Sequence, residues 1–157
     1  MLKYRDIWIF RNKLDFMNSF ESKFYYFLSP IFKEKIDHHL LTQYKKYFGV
    51  FFKPLGEKTA FSIIKKLEPL LFTKGDFLIK KDSQSPGLYL IRKGIVGIAH
   101  WNCNDINLIY YTSGGFCGEN FIISDDFLCE YDIIVRSEQL EVLRITKPDI
   151  LEILKYD

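Results

Sequence analysis

Apolar positions along this chain change their period once, near residue 70, and that change organises everything else. Upstream, charged residues interrupt aromatic and aliphatic ones at helical intervals. DIWIFRNKLDFMNSFESKFYYFL reads as one or two amphipathic helices within residues 1–28. Ser29-Pro30 then starts a further helix, with Ser as N-cap and Pro in the first helical position. Its repeat places Ile36, Leu40, Tyr44 and Phe48 on one face, and Gly49 is positioned to end it. A short helix follows from about Gly56 to Leu67, carrying Phe61, Ile64 and Leu67, and Pro69 closes the helical part.

From Leu70 the pattern becomes short β-type runs between turn signals. LLF precedes Thr73-Lys74-Gly75-Asp76, and FLIKK precedes Asp82-Ser83-Gln84-Ser85-Pro86-Gly87. LYLIRKG, IVGIAHW, INLIYY, EYDIIVRS and LEVLRIT follow at similar spacing, separated by Gly, Asn, Asp and Ser. Such a series predicts an antiparallel roll or barrel, with Val96, Ile98, Val142 and Ile145 pointing inward. Thr146, Pro148 and Asp149 open a final helix. The fold class expected is therefore α+β: N-terminal helices, an antiparallel jelly-roll-like β-roll, and a C-terminal helix.

Composition adds little, but charge adds an asymmetry. Nearly half of the residues are apolar, which excludes a disordered chain. Residues 1–81 hold 16 Lys/Arg against 8 Asp/Glu, whereas residues 82–157 hold 6 against 12. A basic helical arm and an acidic domain attract each other, a neighbouring subunit or an anionic surface. The cysteines Cys103, Cys117 and Cys129 are odd in number and form no CxxC pair, which points to free thiols in a reducing compartment. No apolar run reaches the roughly 18 residues of a membrane span.

Three segments in order resemble the cyclic-nucleotide-binding domain family. Phe72-Thr73-Lys74-Gly75-Asp76-Phe77-Leu78-Ile79 is similar to its F-x-x-G-D-x-I opening. Gly87-Leu88-Tyr89-Leu90-Ile91-Arg92-Lys93-Gly94-Ile95-Val96 resembles its central strand and turn. Gly115-Phe116-Cys117-Gly118-Glu119 resembles the F-G-E start of its phosphate-binding cassette. Upstream, Leu28 to Ile36, His39-Leu40 and Phe51-Phe52 are similar to the C-linker that precedes this domain in cyclic-nucleotide-regulated and voltage-gated cation channels. The resemblance implies a linker-like arm over residues 1–58, a β-roll over 59–157, and a short cassette helix within the roll.

By the same resemblance Gly118, Glu119 and Asn120 are the ligand-binding residues of any nucleotide site, Glu119 facing the ribose 2′-hydroxyl. The family's phosphate-binding arginine has no counterpart, because no Lys or Arg occurs between Glu119 and Arg136. Anchoring on Val135-Arg136 puts Tyr131 at the arginine position and Asp132 at the adjoining Thr position, among Asp125, Asp126 and Glu130. At an effective dielectric near 20, charges about 4 Å apart interact by about 4 kcal/mol, so a carboxylate there opposes a phosphate strongly. The family's closing lid helix would fall beyond Asp157. Tight binding of cAMP or cGMP is accordingly disfavoured.

Other candidate chemistry is sparse. Adjacent His38 and His39 point to different faces of a helix, and with His100 they read as solvated or interface residues rather than metal ligands. Glu119 with Asp125-Asp126 reads as a solvated acidic loop. Cys117 reads as a small buried thiol, with a reactive thiol at a helix N-terminus as the alternative. Lys45-Lys46, Lys65-Lys66 and Lys80-Lys81 form no stripe with stacking aromatics, so nucleic acid is not an expected partner. No catalytic set is recognisable.

The expectation is thus a non-enzymatic regulatory or assembly module, without metal or resident cofactor. Its partners are other protein subunits, on the cytoplasmic side of a membrane complex resembling a cation channel. Two alternatives remain: a free-standing structural subunit that docks through its aromatic N-terminal helices, and a genuine cAMP/cGMP sensor with a non-standard phosphate site. A bacterial-type transcription regulator fits less, since its helix-turn-helix has no place before Asp157.

Overall fold

Turn chemistry sets the strand boundaries. Thr73 donates to the Asp76 carboxylate from both its backbone N–H, at 2.7 Å, and its hydroxyl, at 2.9 Å. Gly75 between them takes a left-handed φ of 90°, so the chain reverses where the sequence placed a turn. The computed structural model describes residues 29–99, 107–120 and 128–155. The helices expected within residues 1–28, the cassette helix, His100 and Cys103 lie outside them. The chain divides into two compact units, the first ending at Thr42 and the second running from Gln43.

Helix α1 spans Pro30–Tyr47. The Ser29 carbonyl accepts the first helical bonds, from Phe32 and Lys33 at 3.0 and 3.1 Å, as an N-cap residue before a Pro should. The helix ends just before Gly49, as the sequence suggested, but Gly49 does not take the left-handed conformation of a glycine cap. It stops at Tyr47, Phe48 leaves helical geometry with ψ of 45°, and Gly49 opens the short helix α2, Gly49–Phe52. Packing decides this. Phe48 and Phe52 are buried, and Tyr44 meets their rings at 6.0 and 5.8 Å.

Helix α3 covers Glu57–Lys66 and buries Ala60, Ile63 and Ile64. Eight strands follow: β1 Glu68–Thr73, β2 Phe77–Ile79, β3 Leu88–Lys93, β4 Val96–Ala99, β5 Asn107–Tyr111, β6 Phe116–Cys117, β7 Asp132–Val135 and β8 Gln139–Ile145. They form two four-stranded sheets, ordered β1-β8-β3-β6 and β2-β7-β4-β5, and every pairing is antiparallel. Pro69 does not close the helical part; it sits inside β1, opposite Leu143. Because β1 is an edge strand, a residue without an N–H is tolerated there.

The core lies between the sheets. Val96, Val135, Leu140 and Val142 are fully buried in it, and Ile98 packs against it. Val142 and Val96 thus face inward as the alternation predicted. Arg144 and Glu68, opposite one another on β8 and β1, bridge at 2.7 Å. Helix α4, Lys147–Lys155, closes the chain over α3. The Asp149 N–H donates to the Thr146 hydroxyl, which itself donates to the Asp149 carboxylate. Lys66 of α3 bridges Asp149 at 3.2 Å and Glu152 at 3.1 Å. The observed architecture is the α+β roll expected, with antiparallel sheets and a terminal helix. Among the described residues no helix is long and apolar enough to cross a membrane.

Candidate functional site

Strand pairing brings two of the sequence motifs together. β6 lies beside β3, with Cys117 opposite Tyr89 and Phe116 opposite Leu90. The Gly118 that follows has φ of 88°, and a Cβ on it would lie 2.6 Å from the Gly87 carbonyl oxygen. Only glycine meets both demands, the left-handed backbone and the close approach. The same Gly87 carbonyl accepts a hydrogen bond from the buried Ser85 hydroxyl at 2.7 Å. The turn before β3 therefore seats the turn after β6, and Glu119 leaves that seat toward an open cavity.

The cavity has a volume of about 260 Å3. Its aliphatic lining is Ile79 of β2, Ile98 of β4, Ile109 of β5 and Ile133 of β7, with the Cys117 thiol. Gly118, Glu119, Asn120, Glu130 and Tyr131 line its polar side, and Glu119, Asn120, Glu130 and Tyr131 are exposed. Tyr111, Ser85 and Cys129 also contribute. No Lys or Arg is among the described residues that line it.

The local electrostatics agree with that inventory. Burial pushes the Cys117 thiol up to about 12, and the neighbouring Glu119 carboxylate adds to the effect. Burial first and Glu119 second raise the Tyr111 phenol. A hydrogen bond to the Glu130 carboxylate, then its charge, raise Tyr131. Burial dominates for Cys117 and Tyr111, and it opposes a charge of either sign; the Glu119 carboxylate adds a smaller push against an anion there. Cys117 is 1% exposed, which agrees with the small buried thiol and not with a reactive one, and burial holds it in the neutral form.

The expected site residues separate into two groups. Gly118, Glu119, Asn120 and Tyr131 share the cavity. Asp132 does not line it; its carboxylate accepts the Lys81 backbone N–H at 2.7 Å, joining the start of β7 to the loop after β2. Sequence reasoning put Ile98 in the interior of the roll but did not assign it, or Ile79, Ile109 and Ile133, to the site. Their β-type alternation was visible, but nothing local said that four strands converge on one cavity. Among the described residues no three His, Cys, Asp or Glu side chains gather as a metal site.

One helical contact reaches this region. The Phe51 ring of α2 meets that of Phe116 at 5.5 Å, one residue before Cys117. The Tyr47 hydroxyl at the end of α1 donates to the Arg92 carbonyl of β3.

No curated protein gives a significant match to the chain. The family model for the cyclic nucleotide-binding domain matches residues 69–157. That stretch is more than half of the chain and includes both sheets but for the first residue of β1, the Gly118-Glu119 turn and the final helix. The chain belongs to the cyclic nucleotide-binding domain family.

Proposed function

We propose that this chain is a non-catalytic regulatory or assembly module whose nucleotide-type pocket does not hold cAMP or cGMP tightly. One observation carries the reading. The cavity beside Gly118-Glu119 presents the Glu119 and Glu130 carboxylates and no cationic side chain among its described lining residues. The chain between Glu119 and Arg136 has no Lys or Arg to add. A cyclic phosphate entering there finds no arginine fork, and Glu130, next to the Tyr131 that takes the arginine position, adds a negative charge on that side. Losing a few kcal/mol of such an interaction weakens binding by at least about two orders of magnitude.

The Phe51–Phe116 contact supports a role in transmission. It couples the helices before the roll to the strand that leads into the pocket. A module of this kind works through other protein subunits, and the resemblance of its upstream residues to the linker of cation channels supports a position on the cytoplasmic side of a membrane complex. Isothermal titration with cAMP and cGMP tests the ligand half of the reading: no saturable heat is expected at micromolar ligand, and a micromolar one-site isotherm overturns it. Light scattering on the eluting protein tests the assembly half. A discrete oligomer is expected, and a monomer at all concentrations contradicts it.

A further inference from the structure

The cavity has the wrong sign for a phosphate, but it has a consistent chemistry of its own. Its aliphatic surface comes from Ile79, Ile98, Ile109 and Ile133. Its rim carries two carboxylates from separate segments, Glu119 after β6 and Glu130 before β7. Tyr131 lines the same side as Glu130, and both are exposed. Apolar depth under a doubly acidic, aromatic rim is the arrangement that holds an amphipathic cation. The body leaves water against the isoleucines, and the charged head meets carboxylates and phenol rings.

We propose that this cavity binds a small organic cation, an aromatic or branched aliphatic amine, with its ammonium group on the side lined by Glu119 and Glu130. The proposal rests on the reading above that the site does not hold a cyclic phosphate, and it names what the site takes instead. Size agrees. A cavity of about 150 Å3 accommodates benzene, so about 260 Å3 leaves room for a six-membered ring and a short amine arm. The field agrees too, since Glu119 disfavours ionisation of both Cys117 and Tyr111, which flank the same space.

The test uses the full chain and three probes: phenethylamine as the cation, phenylacetate as an anion with the same ring, and cAMP. Isothermal titration should give a one-site isotherm for phenethylamine, with a dissociation constant near or below ~1 mM for so small a ligand, and none for phenylacetate. Glu119→Gln and Glu130→Gln should each weaken the amine about fivefold, the scale of one partly exposed ion pair. The double variant should weaken it by roughly 25-fold if the two act independently. Both carboxylates are exposed, so these variants should keep the parent's melting midpoint. Phenylacetate binding as tightly as phenethylamine, an undiminished amine affinity in the double variant, or no saturable amine binding overturns the cation assignment. Silence of both amine and cAMP leaves the proposed function standing, whereas micromolar cAMP binding overturns that function itself.

Discussion

The ring of Phe51 stands 5.5 Å from that of Phe116, inclined by 61°, and ties the helix before the β-roll to the strand that carries Cys117 into the cavity. An inclined aromatic pair at this distance contributes about 0.5–1.5 kcal/mol beyond the area it buries. A double-mutant cycle with Phe51→Leu and Phe116→Leu should return a coupling of that size by urea unfolding. Hydrogen exchange at Cys117 should accelerate in Phe51→Leu. A coupling near zero would mean that the helix and the pocket strand act independently.

Two glycines with nearly the same backbone separate conformation from space. Gly75 has φ of 90° and nothing within 4 Å of a Cβ, whereas Gly118 has φ of 88° and faces the Gly87 carbonyl at 2.6 Å. Gly75→Ala should therefore cost only the left-handed penalty of about 1–2 kcal/mol. Gly118→Ala should cost that and roughly 1–3 kcal/mol more for displaced backbone. Equal midpoints in urea would remove the argument that Gly118 is held by contact with Gly87.

The Thr146–Asp149 pair caps α4 reciprocally. Thr146→Val should lower stability by about 1 kcal/mol, the usual cost of a lost N-cap. Lys66→Met should change it by less, because its partners Asp149 and Glu152 bridge it near the surface, where pairs contribute little. Thermal unfolding of the two variants ranks the effects.

Acid should weaken the fold through two carboxyls. Hydrogen bonds from the Thr73 N–H and hydroxyl hold Asp76 below the usual carboxylate range. The Thr146 hydroxyl, then Lys66, does the same for Asp149. A carboxyl that titrates lower folded than unfolded stabilises above its unfolded value, and that contribution is lost as the pH falls through the folded value. The loss should thus appear below pH ~4, under the ordinary Asp value of about 3.9. Asp76→Asn should start less stable at pH 7 and show a shallower fall in acid. A steeper fall would reverse the sign assigned to Asp76.

Burial makes Cys117 the slow thiol. With its pKa pushed up to about 12, its thiolate fraction at pH 8 is at least about a hundredfold below that of an ordinary cysteine near 8.5. Iodoacetamide labelling read by mass spectrometry should mark half-buried Cys129 before Cys117 in the native protein. The two should react alike in guanidinium. Rapid native labelling of Cys117 would show that the pocket strand opens readily.

Local chemistry was legible in the sequence. Ser29-Pro30 starts α1, Gly75-Asp76 makes its turn, and Thr146 caps α4, because each depends on groups within a few residues. The strand series, and with it the roll, followed from a period of two between turn signals. The absence of Lys and Arg between Glu119 and Arg136 was also legible, since it is a property of the sequence itself.

Tertiary structure decided the rest. The end of α1 just before Gly49 was legible, but not that Gly49 would open another helix, which buries Phe52 beside Phe48. Pro69 looked like a boundary and lies within a strand, because pairing made β1 an edge. Asp132, adjacent to Tyr131 in sequence, is held by the Lys81 N–H instead of lining the cavity. The cavity needs Ile79, Ile98, Ile109 and Ile133 from four strands as well as the Gly118-Glu119 turn. A sequence specifies which side chains exist and how near segments turn. Which distant strands become neighbours is settled only when two sheets bury their faces against each other, and that pairing places an acidic rim over an aliphatic wall.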